Sequence, residues 1–187
     1  MNQTLSLIAS RRSHRAYRPT QLTKEQLDAL LKAAVQSPSA MNRQPWHFTV
    51  VQDQSLLDRI NAAARRQAMN RAPAQRSPRF QDDAFHIFYH APTVIFLSGD
   101  PENAWTQIDC GIAVENIALA AESLGLGSVI LGLPKDAFHS EEGPALCQAL
   151  SFPEGWKFII AIAVGSPADD KDAHPVSESK ITLIAGT

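Results

Sequence analysis

The longest hydrophobic pattern of the chain covers residues 107–124 and predicts one α-helix. Most positions of this run are apolar or small, and on a 3.6-residue period Asp109, Asn116 and Ser123 form a narrow polar strip. Such a helix is expected to be buried nearly all round. Its small residues would let another helix approach closely, a copy of the same helix included. Gly125 follows the run and predicts a left-handed C-cap.

Shorter patterns predict three further helices and four strands. The helices are expected over residues 4–10, 23–36 and 55–64. The strands are expected over residues 47–51, 93–98, 128–132 and 157–164. Thr23 and Gln26 form a capping box at the start of one helix. Strands interspersed with helices indicate an α+β fold, in which helices flank both faces of a sheet.

The length and composition are sufficient for a full hydrophobic core. The chain has 187 residues, of which 44% are hydrophobic, and we expect a single domain over residues 1–187. Residues 166–187 are more polar and contain proline, which predicts an extended C-terminal arm. Within the arm, residues 181–184 have a strand pattern, and we expect them to be attached to a sheet edge.

Charge and cysteine content narrow the function classes. A net charge of −2 argues against a protein dedicated to nucleic acids or membrane surfaces. No apolar run reaches the length of a membrane span. Cys110 and Cys147 form no disulfide framework and have no metal-ligand spacing, so we expect a reducing, cytoplasmic compartment.

A basic segment after the first helix is the first candidate site. If this segment is extended, Arg11, Ser13 and Arg15 project from one face. Arg12 and His14 then project from the opposite face. Guanidinium groups beside a hydroxyl can bind a phosphate, because the planar group matches phosphate oxygens and stays charged. A solvated basic turn explains the spacing equally well.

A polar loop between Pro38 and Pro45 is the second candidate site. Loops carry function more often than they carry packing. The amide side chains of Asn42 and Gln44 both donate and accept hydrogen bonds, which suits recognition of the edge of a heterocycle. A turn-forming role is the alternative for Asn42.

Five arginines and two prolines lie between Arg65 and Arg79, where the helical pattern dissolves. This composition predicts a mobile excursion from the fold. The segment could be a lid over an active site, a contact for a nucleotide phosphate or an RNA-binding surface. A solvated loop is the favoured interpretation.

Two motifs with familiar spacings are rejected. His86 and His90 are spaced like metal ligands on a helix, but no third ligand is near them in the sequence, so we predict no metal site. Gly125 and Gly127 are spaced like the start of a dinucleotide-binding loop, but they close a helix instead of following a strand.

Several short motifs follow one another over most of the chain. They are Arg11-Arg12-Ser13-x-Arg15-x-Tyr17, Ser37-Pro38-Ser39-x-x-Asn42-x-Gln44-Pro45-Trp46, Tyr89-x-Ala91-Pro92, Asp109-Cys110 and Gly125-Leu126-Gly127-Ser128. Each motif alone is weak. In this order, the set resembles the flavin-dependent nitroreductase family.

The resemblance implies a mixed sheet flanked by helices, a long buried central helix, and an intertwined homodimer with FMN at the subunit interface. It implies hydride transfer from NADH or NADPH through the flavin to nitroaromatic or quinone-type acceptors, by a ping-pong mechanism. No catalytic acid, base or nucleophile is expected, because flavin N5 carries the chemistry. The alternatives are a flavin-storage protein with little turnover and, less favoured, an RNA-binding protein that uses Arg65–Arg79.

Three groups of residues would bind the flavin according to the resemblance. The phosphate and ribityl chain would contact Arg11, Arg12, Ser13 and Arg15. The partner subunit would contribute Ser39, Asn42 and Gln44. The ring would face the backbone of Ile130, Leu131 and Gly132.

The sequence departs from the family pattern near its C-terminal end. The family commonly has basic residues there that help to hold the flavin phosphate, whereas this chain has His174 followed by Pro175. We expect His174 to take part in cofactor binding, with the phosphate depending more heavily on Arg11 and Arg15. The sequence determines neither the physiological acceptor nor the choice between NADH and NADPH.

Overall fold

The structure is a computed structural model that describes residues 2–173 and 175–186. The α-helices in these ranges are α1 (Gln3–Ser10), α2 (Lys24–Val35), α3 (Gln54–Met69), α4 (Thr106–Ser123), α5 (Lys135–Phe138) and α6 (Gly143–Ala149). The strands are β1 (Trp46–Val51), β2 (Thr93–Gly99), β3 (Gly127–Leu131) and β4 (Lys157–Gly165). Within the same ranges, no helix is both long enough and apolar enough to cross a membrane.

The strands form one sheet in the order β1-β2-β4-β3, so β1 and β3 are its edges. All neighbouring strands are antiparallel. The α+β fold class is confirmed. Among the described residues, the parallel part of the expected mixed sheet is one bridge, which joins Ser13 to Ser128 at the edge of β3.

Helices cover both faces of the sheet, and two hydrophobic clusters result. One cluster packs α3, α5 and α6 against the sheet and includes Phe88 and Phe96. The other packs α2 and α4 against the opposite face and includes Leu97 and Ile162. Successive side chains of a strand point to opposite faces, and for this reason Phe96 and Leu97 of β2 lie in different clusters.

The predicted elements are present, with ends that mostly differ by one or two residues. The capping box of α2 is confirmed, since Thr23 Oγ1 accepts a hydrogen bond from the Gln26 backbone N–H and Gln26 Oε1 accepts one from the Thr23 backbone N–H. Helices α5 and α6 were not predicted with bounds, and they have four and seven residues. Such short segments cannot show a helical period.

The central helix α4 is buried on its inner face. Burial of Cys110 there, together with the neighbouring Asp109 carboxylate, raises the pKa of the thiol to about 12. On the outer side Trp105, Ile108 and Ile112 are 51%, 55% and 37% exposed, and we call these three residues the α4 stripe. The expected burial is therefore confined to the inner face in a single chain, because the described residues leave the stripe 37–55% exposed.

The segment from Arg65 to Arg79 is more ordered than predicted, because α3 continues to Met69. The Arg65 guanidinium group donates to the carbonyl oxygens of Phe80, Asp82 and Phe85. Two ion pairs connect the segment to the neighbouring helices, Arg66 with Glu142 and Arg71 with Asp136. The predicted helix end at Ala64 is therefore wrong, and these contacts attach the segment to the fold.

Two segments expose apolar side chains. Helix α1 has no buried residue, and its Leu5 and Ile8 are about half exposed. The arm after β4 first follows the basic segment, through a bridge between Tyr17 and Pro167. Residues 181–184 then form no strand, and their isoleucine and leucine side chains are 75–91% exposed. The predicted attachment of this stretch to a sheet edge is wrong within one chain.

Candidate functional site

The basic segment lies along the free edge of β3. Ser13 forms the parallel bridge with Ser128, and the His14 backbone N–H donates to the Ser128 carbonyl oxygen at 2.9 Å. This pairing keeps the segment extended. In an extended segment, alternate side chains project from opposite faces, as predicted for Arg11, Ser13 and Arg15. The arginines are therefore positioned beside the amino end of β3.

The arginines of the segment differ in their contacts. Arg11 Nε lies 3.2 Å from Glu115 Oε1 of α4. Arg12 donates to the carbonyl oxygens of Ala9, Arg11 and Asp172. The Arg15 side chain is exposed, and its guanidinium carbon lies 6.0 Å from the ring centroid of Tyr89. Arg12 is committed to the backbone, so Arg15 and Arg11 are the better placed to contact an anion.

Asp169, which the sequence analysis did not single out, holds this segment in place. Its Oδ1 lies 2.8 Å from His14 Nδ1, and its Oδ2 accepts a hydrogen bond from the Arg15 backbone N–H at 3.1 Å. Burial raises the pKa of the Asp169 carboxyl, but the hydrogen bonds from His14, Lys171 and the Arg15 backbone outweigh burial and lower the pKa to about 2. One aspartate in a polar arm gives no sequence signal of such a role.

Arg79 lies near the basic segment, because Arg79 and Arg15 both approach Tyr89. Its Nη1 donates to the Tyr89 hydroxyl at 3.4 Å, and the Arg15 guanidinium group approaches the same ring. Tyr89 and His90 both have a φ of 54°, in the left-handed region that is uncommon for non-glycine residues and frequent at functional sites. The proximity of Arg79 to Arg15 was not predicted from the sequence, because only tertiary packing creates it.

The polar loop before β1 is a tight, strained turn. Met41, Asn42 and Gln44 have φ between 48° and 53°, a region that costs non-glycine residues free energy. Ser39 Oγ accepts a hydrogen bond from the Gln44 backbone N–H at 3.0 Å, and Asn42 Oδ1 accepts one from Gln44 Nε2 at 2.9 Å. The three predicted site residues of this loop are therefore brought together.

Asp109 anchors the loop to α4. Its side chain is buried, and both carboxylate oxygens accept from the Ala40 backbone N–H, at 3.2 and 3.3 Å. A buried carboxylate is costly unless it is hydrogen-bonded, and a position in the first turn of a helix stabilises its negative charge. Asp109 belongs to one of the sequence motifs, but its role as the anchor of the loop was not predicted.

The basic segment and the polar loop lie on two sides of the α4 stripe. On the helical period, Ile108 and Ile112 fall between the side that carries Glu115, the contact of Arg11, and the side that carries Asp109, the anchor of the loop. An exposed apolar surface therefore separates the predicted arginine group from the predicted amide group within one chain.

The third predicted group lies at the carboxyl end of β3. Ile130 lines a cavity of about 800 Å³ between the amino ends of α4 and β4. Leu131 is buried, whereas Gly132 is exposed and has no atom within 4 Å of the position of an added Cβ. The same edge strand thus has the basic segment at one end and open backbone at the other. His174 lies outside the described residues.

Comparison with known proteins gives a consistent assignment. Residues 8–166 match the model of the Nitroreductase family. A nitroreductase with bound FMN from Desulfitobacterium hafniense has 33% identity and a TM-score of 0.93, and the match covers 99% of this chain and 100% of that chain. A nitroreductase with bound FMN from Bacteroides fragilis has 30% identity and a TM-score of 0.92, with the same coverage. The FMN reductase (NAD(P)H) of Bacillus subtilis is 28% identical over 184 residues, which are 94% of this chain and 70% of that protein.

We predict that Asp169→Asn destabilises the protein at neutral pH by about 1–3 kcal/mol, because the hydrogen bonds of His14 and Arg15 lose a charged acceptor. The folded pKa of about 2 lies below the ordinary value of 3.8. The stabilisation is therefore present above pH 4 and is lost as the pH falls towards 2. Urea unfolding of both proteins across this range measures the difference. The exposed Asp170→Asn is the control, and an equal effect of the two substitutions would contradict the role of Asp169.

Proposed function

The chain belongs to the nitroreductase family and is an FMN-dependent NAD(P)H oxidoreductase, and we propose that it reduces nitroaromatic or quinone acceptors in a ping-pong cycle. Bound FMN would supply the chemistry, accepting hydride from NADH or NADPH and returning it, with a proton, to the acceptor. The observation that supports this most directly is the arrangement along β3, with cations at one end and open backbone at the other.

The dimensions of this arrangement fit FMN. Ser128 and Gly132 are four residues apart, or about 13 Å at 3.3 Å per residue, a length that a ribityl phosphate joined to a flavin ring can cover. Guanidinium groups match phosphate oxygens. We propose that Arg11, Ser13 and Arg15 hold the phosphate and ribityl chain, with Arg12 supporting the backbone beneath them. The ring would then face the backbone of residues 130–132, where an edge strand leaves polar groups free.

The protein's part in this reaction is to bind, orient and shield the reactants. Hydride transfer requires no nucleophile. Cys110 is not suited to be one, since it is fully buried and its thiol pKa is raised to about 12. We therefore assign no catalytic acid, base or nucleophile to the chain.

We propose that the functional unit is a homodimer. The α4 stripe and the exposed face of α1 are apolar surfaces that a second chain would cover. Exposed Gly111 lies beside the stripe and would allow a second helix to approach closely. A helix as short as α1, with no buried residue of its own, is marginal in water, and coverage by a partner would stabilise it.

The C-terminal arm supports an intertwined form of this dimer. Residues 181–184 have a strand pattern but no strand partner among the residues that the structure describes, and their large apolar side chains are mostly exposed. Packing of the arm on the partner would bury these side chains. We propose that residues 1–187 act as one flavin-binding domain, with the arm reaching the second subunit.

The dimer would complete each flavin site. The polar loop, which contains Ser39, Asn42 and Gln44, lies across the α4 stripe from Arg11. A partner packed on the stripe therefore has its own polar loop and its own basic segment at the interface. We propose that the polar loop of one subunit contacts the flavin held by the arginines of the other subunit. His174 belongs to the same proposal as a phosphate contact.

Two alternatives have less support. A flavin-storage protein would share the binding site but not the turnover. An RNA-binding role of Arg65–Arg79 requires free cations, whereas Arg65, Arg66 and Arg71 form ion pairs with Asp83, Glu142 and Asp136. We also propose a cytoplasmic location, where the two free cysteines would stay reduced.

We expect the purified protein to be yellow, with FMN as the extracted flavin. NADH or NADPH should bleach the flavin absorbance, and addition of a quinone should restore it. Anaerobic absorption spectra before and after each addition measure both half-reactions. A bound flavin that neither nucleotide reduces would support the storage alternative and contradict the oxidoreductase proposal.

We predict that Arg15→Ala weakens FMN binding about tenfold or more, the equivalent of a charge-assisted contact of about 1.5–3 kcal/mol. Arg71→Ala is the matched control, because Arg71 forms an ion pair with Asp136 of α5 and is not part of the basic segment. Fluorescence titration of the apoprotein with FMN gives both dissociation constants. Equal affinities of the two variants would exclude Arg15 from the phosphate site.

A mixed dimer tests whether each site is shared between subunits. Arg15→Ala and Asn42→Ala homodimers should both have low activity, since each of their sites contains the defect. In a mixed dimer one site collects both substitutions, and the other has an intact Arg15 from one chain and an intact Asn42 from the other.

With equal co-expression and random pairing, about half of the dimers are mixed, and about a quarter of all sites should regain activity. Differently tagged chains allow the mixed dimers to be isolated and assayed. Activity no higher than the average of the two homodimers would show that each flavin site belongs to a single subunit.

A further inference from the structure

A large cavity lies beside the proposed flavin position. Its volume is about 800 Å³, and it opens between the amino end of α4, the amino end of β4 and the end of β3. Ile130 of β3 and Gly111 of α4 belong to its lining. Because the flavin ring is proposed to face residues 130–132, a molecule in this cavity would lie next to the ring.

The charges around the cavity are mainly positive. Two lysines, Lys135 and Lys157, line it beside His139. In the described part of the chain the lysines that form ion pairs are Lys24 and Lys171, so the charges of Lys135 and Lys157 are not compensated. The same three side chains also line a smaller adjoining cavity of about 230 Å³, which shows that they lie close together.

One acidic residue, Asp100, is also in the lining, and one of its carboxylate oxygens accepts a backbone hydrogen bond. Its Oδ1 accepts a hydrogen bond from the Glu102 backbone N–H at 2.9 Å in the turn before α4. The amino end of α4 reaches the cavity at Thr106 and Gln107, and the positive end of a helix dipole adds to the attraction for an anion. The balance of charge therefore favours a negatively charged ligand.

The lining also includes the polar residues Asn103, Thr106 and Gln107, and its apolar part suits a flat ring. Val114, Ile130 and Ile160 contribute aliphatic residues to the lining, and Phe158 lies where this cavity adjoins the smaller one. The Phe158 ring stacks on Phe138 with centroids 4.7 Å apart and planes 9° from parallel, which fixes its orientation. A cavity with this floor and cationic rim matches an aromatic molecule that carries an acidic group.

We propose that this cavity binds the electron acceptor and selects aromatic acceptors with a carboxylate or similar anionic group, which pairs with Lys135 and Lys157. The inference rests on the proposed function for the position of the flavin, and it adds the chemical class of the acceptor. It concerns binding and orientation of the acceptor only.

The test compares two acceptors that differ in charge and little in shape, 4-nitrobenzoate and 4-nitrobenzamide. The wild-type FMN enzyme should have the lower KM for the benzoate. In Lys135→Gln and Lys157→Gln, the ratio of KM for the benzoate to KM for the benzamide should rise about tenfold, as expected for the loss of one charge-assisted contact. Lys32→Gln, an exposed lysine of α2, is the control and should keep the wild-type ratio.

A binding measurement makes the result independent of turnover. Calorimetric titration of the oxidised, FMN-loaded protein with 4-nitrobenzoate should show the same weakening in the two cavity variants and none in Lys32→Gln. An unchanged KM ratio together with unchanged benzoate affinity would overturn the proposal. A defect confined to flavin reduction by NADH or NADPH would also overturn it, because the cavity would then bind the nucleotide. Failure of the wild-type flavin to be reduced would contradict the proposed function, whereas the titration would still test the cavity.

Discussion

The packing of α4 against the sheet is the constraint on which the candidate site depends. The inner face of α4 is buried with β2, β4 and α2, and burial of apolar surface stabilises by about 25 cal/mol per Å². Rotation of the helix would expose this face and bury its polar residues, so its orientation is fixed. Asp109 and Glu115 therefore have fixed positions on either side of the α4 stripe. Asp109 fixes the polar loop, and Glu115 fixes the basic segment through Arg11.

Carboxylates provide most of the positioning in this site. Asp109 holds the strained loop through the Ala40 backbone N–H, and Asp169 holds the basic segment through His14 and the Arg15 backbone. Glu115 pairs with Arg11 and its carboxylate is partly exposed. A bound phosphate would have to displace this carboxylate to contact the Arg11 guanidinium group. The guanidinium group of Arg15 has no carboxylate partner among the described residues, which is why it would contribute more to phosphate binding.

The apolar surfaces that remain exposed follow one pattern. The α4 stripe, the face of α1 and residues 181–184 all have regular apolar spacing, yet the described residues leave them partly or mostly exposed. Exposed patches of this kind mark interaction surfaces in soluble proteins. The proposed dimer accounts for all three with one partner, and it places the flavin sites where the polar clusters of two chains meet.

The sequence by itself determined the elements whose patterns are long or local. The period of α4, the capping box at Thr23 and the unbroken apolar run of β4 depend on neighbours in the chain, so their positions could be predicted to within a residue or two. The ordered motifs indicated the family, because residue identity and order carry that information.

Only the tertiary structure decided which distant residues meet. Three pairs of residues that are not neighbours in the sequence meet in the fold. Arg79 contacts Tyr89, Asp169 contacts His14, and Lys135 and Lys157 line the same cavity. The end of α3 was also misjudged, since polar side chains such as Arg65 and Arg66 are held there by partners outside the helix. Such contacts depend on the packed position of each element, and no local pattern of residues encodes that position.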